Sequence, residues 1–230
     1  MNILALDTAT GVFSVALTTE KGLWYSEIDS GSSHSELLME CVDGLFKLSN
    51  SDASCLNLIS CMKGPGSFTG LRIGFSAAKG MAMALGIPYI SIPTLDCMAY
   101  PFSNWPGLVL PVIDAKKSRF FSAFYRSSIR LTDYSDLAPE EILDLLEKTR
   151  NFADEPLLLT GPGAELLLSR FNFQLNHSII FPEFNRGRAW ELLQVSKSVN
   201  IKDRTEIDLG PVYLRKSDAE LSKSQYSSML

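Results

Sequence analysis

The sequence predicts an α/β protein built from two copies of one design, and three observations carry that prediction. Each half opens with an apolar strand ending in aspartate, "ILALD" at Asp7 and "LVLPVID" at Asp114. Each half later runs an apolar strand into Gly-Pro-Gly, at Gly64–Gly66 and at Gly161–Gly163. Between these landmarks the order strand–strand–strand–helix–strand–helix occurs twice. Motif-level self-similarity constrains a fold more tightly than propensity, because each copy must solve the same packing problem.

The elements follow in order. "ILALDT", "VFSVALTT" and "GLWYSEI" are strands separated by turn residues at Gly11 and at Lys21-Gly22. "HSELLMECVDGLFKLS" places Leu37, Leu38, Cys41, Val42, Leu45 and Phe46 at helical spacing. "LNLISCM" is a short buried strand that ends in the glycine turn, and "TGLRIGFSAAKGMAMALG" is a helix leading to the strand "YISI". In the second half "LVLPVID", "RFFSAFY" and "SIRLTDY" read as strands. "PEEILDLLEKT" is a helix with Pro139 in its first turn. "PLLLTGPGAELLL" is strand, turn and helix, and "RGRAWELLQVSKSV" closes the half as a helix. Used twice, this order points to the duplicated ribonuclease-H-like architecture of actin, sugar kinases and Hsp70 (ASKHA type), the alternative being an unrelated single α/β sheet. The halves are placed at 1–104 and 105–230, joined through "PFSNWPG", and each is expected to hold a mixed five-stranded sheet. In that architecture the strand-end acids and glycine turns of both halves face one cleft, where nucleotide phosphates and magnesium sit.

Composition narrows the function. Apolar residues make up 46% of the 230 and charged ones 20%, the balance of an ordinary globular chain. A net charge of −5 leaves no broad cationic footprint for RNA, so contact with nucleic acid is expected only through a partner. The four cysteines form no CxxC pair and read as buried free thiols of a reducing compartment. The run Ile3–Leu6 reaches Asp7 too soon for a signal peptide, and no apolar run has the length of a membrane span. A cytoplasmic protein with no membrane partner is expected.

The motifs admit two readings each. Asp7 and Asp114 could hold a metal or a water, with Thr8 and Thr10 completing a loop around phosphate, as a vestigial or weak nucleotide cleft. Equally, each aspartate could cap the turn that follows it. Gly70, Gly74, Ala78 and Ala82 recur every four residues, with Ala77 alongside, and so form one smooth helical stripe. A helix-interior glycine costs about 1 kcal/mol relative to alanine, so the stripe calls for another backbone in close approach. A phosphate cradle is less favoured, since the Gly-Lys-Ser/Thr of a P-loop is missing. The two histidines, His34 and His177, make no HxxxH pair, and no G-x-S-x-G elbow accompanies them. The basic residues Arg186, Arg188, Lys197, Lys202, Arg204, Arg215 and Lys216 are interleaved with Glu191, Asp203, Glu206, Asp208 and Asp218, the pattern of a solvated surface.

Taken together, "ILALDTAT", "HSELLMECVDGLF", "KGPGSFTGLRIGFSAAKGMAMALGIPYISIPTLD", "VIDAKKSRFFSAFY" and "GPVYLRKSDAE" resemble the TsaB (YeaZ-type) family. The resemblance runs the length of the chain and is weakest from Ile129 to Asp208. It implies a non-catalytic component of the bacterial machinery that makes N6-threonylcarbamoyladenosine beside the anticodon of tRNAs reading codons that begin with A. It implies a heterodimer with the catalytic relative TsaD, joined by the ATPase TsaE, and a homodimer when TsaD is missing. TsaD carries an HxxxH metal motif where this chain has Thr94 and Met98, so neither catalysis nor a metal is expected here. This subunit is expected to require no cofactor, with any ATP or ADP at the interface of the complex. The resemblance further implies that the two N-terminal helices form the partner contact. His34, Leu37, Leu38, Cys41, Gly70, Gly74, Phe75, Ala77, Ala78 and Met81 are the expected interface, the alternative being that they belong to the chain's own core. Two other functions compete: an ATP-dependent kinase or ATPase, motivated by Asp7, Asp114 and the paired glycine turns, and a peptidase.

Overall fold

A computed structural model of the chain describes residues 1–29, 34–170, 178–180, 186–199 and 210–215. His177, Lys202, Asp203, Arg204, Glu206, Asp208, Lys216 and Asp218, and with them the end of the "GPVYLRKSDAE" segment, lie outside the described residues.

The first sheet contains β1 (Ile3–Asp7), β2 (Val12–Thr19), β3 (Gly22–Asp29), β4 (Leu58–Gly64) and β5 (Tyr89–Pro93) in the spatial order β3-β2-β1-β4-β5. The meander β1–β2–β3 is antiparallel, and β4 and β5 add in parallel beyond β1. The second sheet contains β6 (Leu108–Asp114), β7 (Phe120–Ser122), β8 (Tyr125–Arg126), β9 (Ile129–Arg130), β10 (Ser135–Leu137), β11 (Leu157–Thr160) and β12 (Ser178–Ile180). Its main path is β10-β7-β6-β11-β12. That is the first order repeated, with the same parallel pairing of β6 to β11 and β11 to β12. The fold is therefore the duplicated ribonuclease-H-like one.

The second sheet departs from five strands for a local reason. Ser127 and Ser128 adopt left-handed φ values of 49° and 60°, which folds "FYRSSIR" into the β8–β9 hairpin. The single strands expected over "RFFSAFY" and "SIRLTDY" are thereby divided.

Six α-helices lie among the described residues: α1 (His34–Leu48), α2 (Phe68–Leu85), α3 (Thr94–Ala99), α4 (Pro139–Thr149), α5 (Ala164–Arg170) and α6 (Ala189–Ser198). α2 is well delimited. The Ser67 side chain accepts the Gly70 N–H at its start, and Gly86 turns left-handed at φ 68° to end it. Leu38, Val42 and Leu45 of α1 and Phe75, Ala78 and Ala82 of α2 bury Leu4, Leu6, Val15 and Ile59 on one face of the first sheet. α4 and α5 cover the second sheet in the same way through Ile142, Leu146, Ala164 and Leu167.

The inner faces are covered by exchange. α6, from the second half, lays Ala189, Leu192 and Leu193 on Ile3, Ala5 and Leu58 of the first sheet. α3, from the first half, lays Leu95, Met98 and Ala99 on Val109, Ile113 and Leu158 of the second. Leu192 and Leu193 are fully buried, and each contributes about 1.5–3 kcal/mol to holding α6 in place. Burial on both faces also explains why β1 and β6 read as near-continuous apolar runs.

Candidate functional site

The glycine turn answers first to the chain's own backbone. A Cβ on Gly66 would stand 2.4 Å from the Ala9 carbonyl oxygen, and one on Gly70 would stand 2.0 Å from that of Thr8. A Cβ on Gly74 would meet Thr8 Oγ1 at 2.5 Å, and one on Gly64 would meet the Val212 carbonyl at 2.6 Å. The Thr8 hydroxyl also donates to the Gly70 carbonyl at 2.6 Å, and the Ser67 N–H donates to the Ala9 carbonyl at 2.7 Å. The glycines thus let α2 lie directly against the turn between β1 and β2.

The residues expected at the interface fall into two groups within the chain. Leu38, Gly70, Gly74, Phe75 and Ala78 are buried inside the chain, against the first sheet and its turn. A stripe of small residues shows that a backbone approaches, and here that backbone is the chain's own. Leu37, Cys41, Ala77 and Met81 are half-buried at the margin of the same core and keep part of their surface outward. His34 opens α1, and its side chain lies outside the described residues. Gly44 of α1 and Gly80 of α2, by contrast, have open space where a Cβ would point. Met39 and Met83 on these helices are 47% and 73% exposed.

The strand-end acids are engaged locally. Asp7, 1% exposed, accepts the Ala9 N–H at 3.0 Å on one oxygen and the Arg188 N–H at 2.6 Å on the other. Burial pushes its carboxyl up to about 6, against the pull of those two N–H groups and the Arg188 guanidinium. Asp7 thereby sits at the N-terminus of α6, where a carboxylate meets the positive end of the helix. Ser14 Oγ accepts the Ala189 N–H at 2.9 Å, and the Tyr25 hydroxyl donates to the Gly187 carbonyl at 3.0 Å. Thr10 donates to the Val12 carbonyl at 3.3 Å.

In the second half Asp114 repeats the turn-capping role, accepting the Lys116 N–H at 2.7 Å and the Lys116 ammonium at 2.9 Å. Partial burial raises its carboxyl, but the Lys116 contacts outweigh that and hold it below the usual range. Asp7, Thr8, Thr10 and Asp114 therefore each serve turn or helix geometry.

Arg188 and Glu191 also differ from expectation. They are 1% and 2% exposed, not part of a solvated face, and Arg186 adds a hydrogen bond to Glu191. In "RGRAWELL" Arg188 stands immediately before an apolar helix and Glu191 three residues on, so both lie at the start of a helix that packs on the first sheet. Cys61 and Cys97 are buried thiols as expected, whereas Cys41 and Cys55 are only half-buried. Thr94 and Met98, at the HxxxH position, are both buried in α3. Among the described residues, no group of three or more His, Cys, Asp or Glu is placed to hold a metal ion, and no helix is long and apolar enough to cross a membrane.

Comparison with known proteins places this architecture. Residues 29–173 match the family model described as TsaD, tRNA N6-adenosine threonylcarbamoyltransferase. The tRNA threonylcarbamoyladenosine biosynthesis protein TsaB of Bacillus subtilis is 30% identical over 170 residues, which is 72% of this chain and 73% of that one. The chain belongs to the TsaB (YeaZ-type) family. TsaB of Haemophilus influenzae aligns over 94% of both chains at 26% identity. YeaZ of Pseudomonas aeruginosa has the same fold, with a TM-score of 0.76, 23% identity and coverage of 93% of this chain and 99% of that one. The duplicated fold is thus that of a TsaB-family chain.

Proposed function

We propose that this chain is the non-catalytic partner of TsaD in forming N6-threonylcarbamoyladenosine on tRNAs that read codons beginning with A, working with the ATPase TsaE. The observation that carries the reading is the match to TsaB relatives, named for threonylcarbamoyladenosine biosynthesis, along most of the chain. The site geometry supports it. Asp7 is committed to the start of α6 and Thr94 and Met98 are core residues, so independent nucleotide or metal chemistry finds little purchase. The subunit requires no cofactor of its own, and ATP or ADP belongs at the interface of the complex. tRNA is met only through that complex, in the cytoplasm.

The partner face lies on the outer surfaces of α1 and α2, where Leu37, Cys41, Ala77 and Met81 border Gly44 and Gly80. The interior glycines cost about 1 kcal/mol each in helix propensity and have no intramolecular neighbour to explain them. A partner helix lying across them would. In the absence of TsaD the same face joins two copies of this chain.

Ala77→Glu combined with Met81→Glu should abolish association with TsaD and homodimer formation in size-exclusion chromatography, while shifting the melting temperature of the monomer by only a few degrees. Association unchanged by the pair would remove the α1–α2 face from the account.

A further inference from the structure

The segment Gly210–Arg215 ties the two halves together. On the first-half side the Val212 N–H donates to the Lys63 carbonyl at 2.8 Å, at the point where the β4–β5 register shifts. Gly64 makes room for this contact, since its Cβ would fall 2.6 Å from the Val212 carbonyl oxygen. The Tyr213 ring packs on Phe68 with centroids 4.6 Å apart, and Arg72 lies over the Phe68 ring at 3.8 Å. Arg72 Nε also donates to the Tyr213 hydroxyl at 3.2 Å.

Two residues on, the same segment engages the second half. Arg215 reaches Asp136 Oδ2 through Nε at 2.8 Å and through its second terminal nitrogen at 2.8 Å, and donates from Nη1 to the Ala115 carbonyl at 2.8 Å. Asp136 lies on β10 and is further held by Arg119 Nε at 3.1 Å. Arg215 and Asp136 side chains are 23% and 15% exposed, so the pair is partly shielded from water. Charge-assisted, two-pronged contacts of this kind fix geometry as well as add strength.

We infer that Gly210–Arg215 is a latch that couples the glycine turn and the start of α2 in the first half to the β6–β7 turn and β10 in the second. Tyr213 and Arg215, separated only by Leu214, are gripped by opposite halves, so neither end can shift without straining the other. The exchanged helices α3 and α6 join the sheets at their cores, and the latch joins them at the glycine-turn edge. Because it grips Phe68 and Arg72 on α2, its contacts fix the position of the first turns of that helix.

Hydrogen exchange on the full-length chain tests the coupling. Arg215→Ala touches only the second-half anchor, yet it should raise exchange about tenfold at the amides of Gly70 and Leu71, which Arg215 does not contact. Tyr213→Ala touches only the first-half anchor, and should raise exchange by a similar factor at Ala115 and Arg119. Arg215→Lys, which keeps the charge and loses the fork, should give a smaller rise at Gly70 and Leu71. The tested residues are partly exposed and outside the four apolar clusters, so the variants should remain folded. A rise confined in each variant to its own side would overturn the latch.

Discussion

Gly70→Ala should destabilise the folded chain by several kcal/mol, although alanine is the better helix former by about 1 kcal/mol. The added methyl would stand 2.0 Å from the Thr8 carbonyl oxygen, and neither partner is a flexible side-chain end. Overpacking commonly costs about 1–3 kcal/mol, and more when backbone must yield. At about 2–4 °C per kcal/mol for a chain of this size, the melting temperature should drop by roughly 10 °C. Gly80→Ala supplies the opposite sign within the same helix. Its methyl meets nothing within 4 Å, so the monomer should gain up to about 1 kcal/mol. Gly74→Leu should behave as Gly70→Ala does, because its Cβ would press at 2.5 Å on a hydroxyl already bonded to Gly70. Equal melting temperatures for Gly70→Ala and Gly80→Ala would refute the packing of α2 on the β1 turn.

Asp7→Ala should cost the fold several kcal/mol at pH 5, and less at pH 8. Removal of the carboxyl leaves the Ala9 and Arg188 N–H groups buried without their acceptor, at about 1–3 kcal/mol each. The pH dependence has a definite sign. The folded carboxyl titrates near 6, above its ordinary value of 3.8, so between those values the folded chain holds the proton more tightly than the unfolded chain does. This group's contribution to stability is full below about pH 4 and declines as pH rises through about 6. The alanine variant lacks that decline, so the gap between the two proteins narrows on going from pH 5 to pH 8. Urea melts at the two pH values measure it. A gap that widens with pH would show that Asp7 is stabilised as a carboxylate, contrary to its burial.

Much of this was legible in the sequence, and what was not has physical causes. The repeated strand order could be read because β1 and β6 are apolar on both faces and end in turn-forming aspartates. The helix read over "TGLRIGFSAAKGMAMALG" is α2 to within a residue at each end, where Ser67 and Gly86 act on the chain within a few positions. The body that the Gly70–Ala78 stripe faces could not be read, because small residues report close approach and not its source. Thr8 lies 62 residues before Gly70. Nor could the return of α6 to the first sheet, since Leu192 and Leu193 announce burial without naming a sheet. The bond from Asp7 to Arg188 spans 181 residues, beyond the reach of any local pattern. α3 is six residues long, too short for helical periodicity to show in "TLDCMA".

The central claim is tested most directly by reconstituting tRNA modification. The purified chain would be combined with its cognate TsaD, TsaE, the enzyme that forms threonylcarbamoyl-adenylate, and unmodified tRNA, and N6-threonylcarbamoyladenosine would be measured by mass spectrometry of the digested RNA. The account predicts robust modification in the full mixture, loss of at least tenfold when this chain is omitted, and none from this chain with tRNA and the adenylate alone. It also predicts that the Ala77→Glu, Met81→Glu pair behaves as omission does. Modification that proceeds equally well without the chain would contradict it.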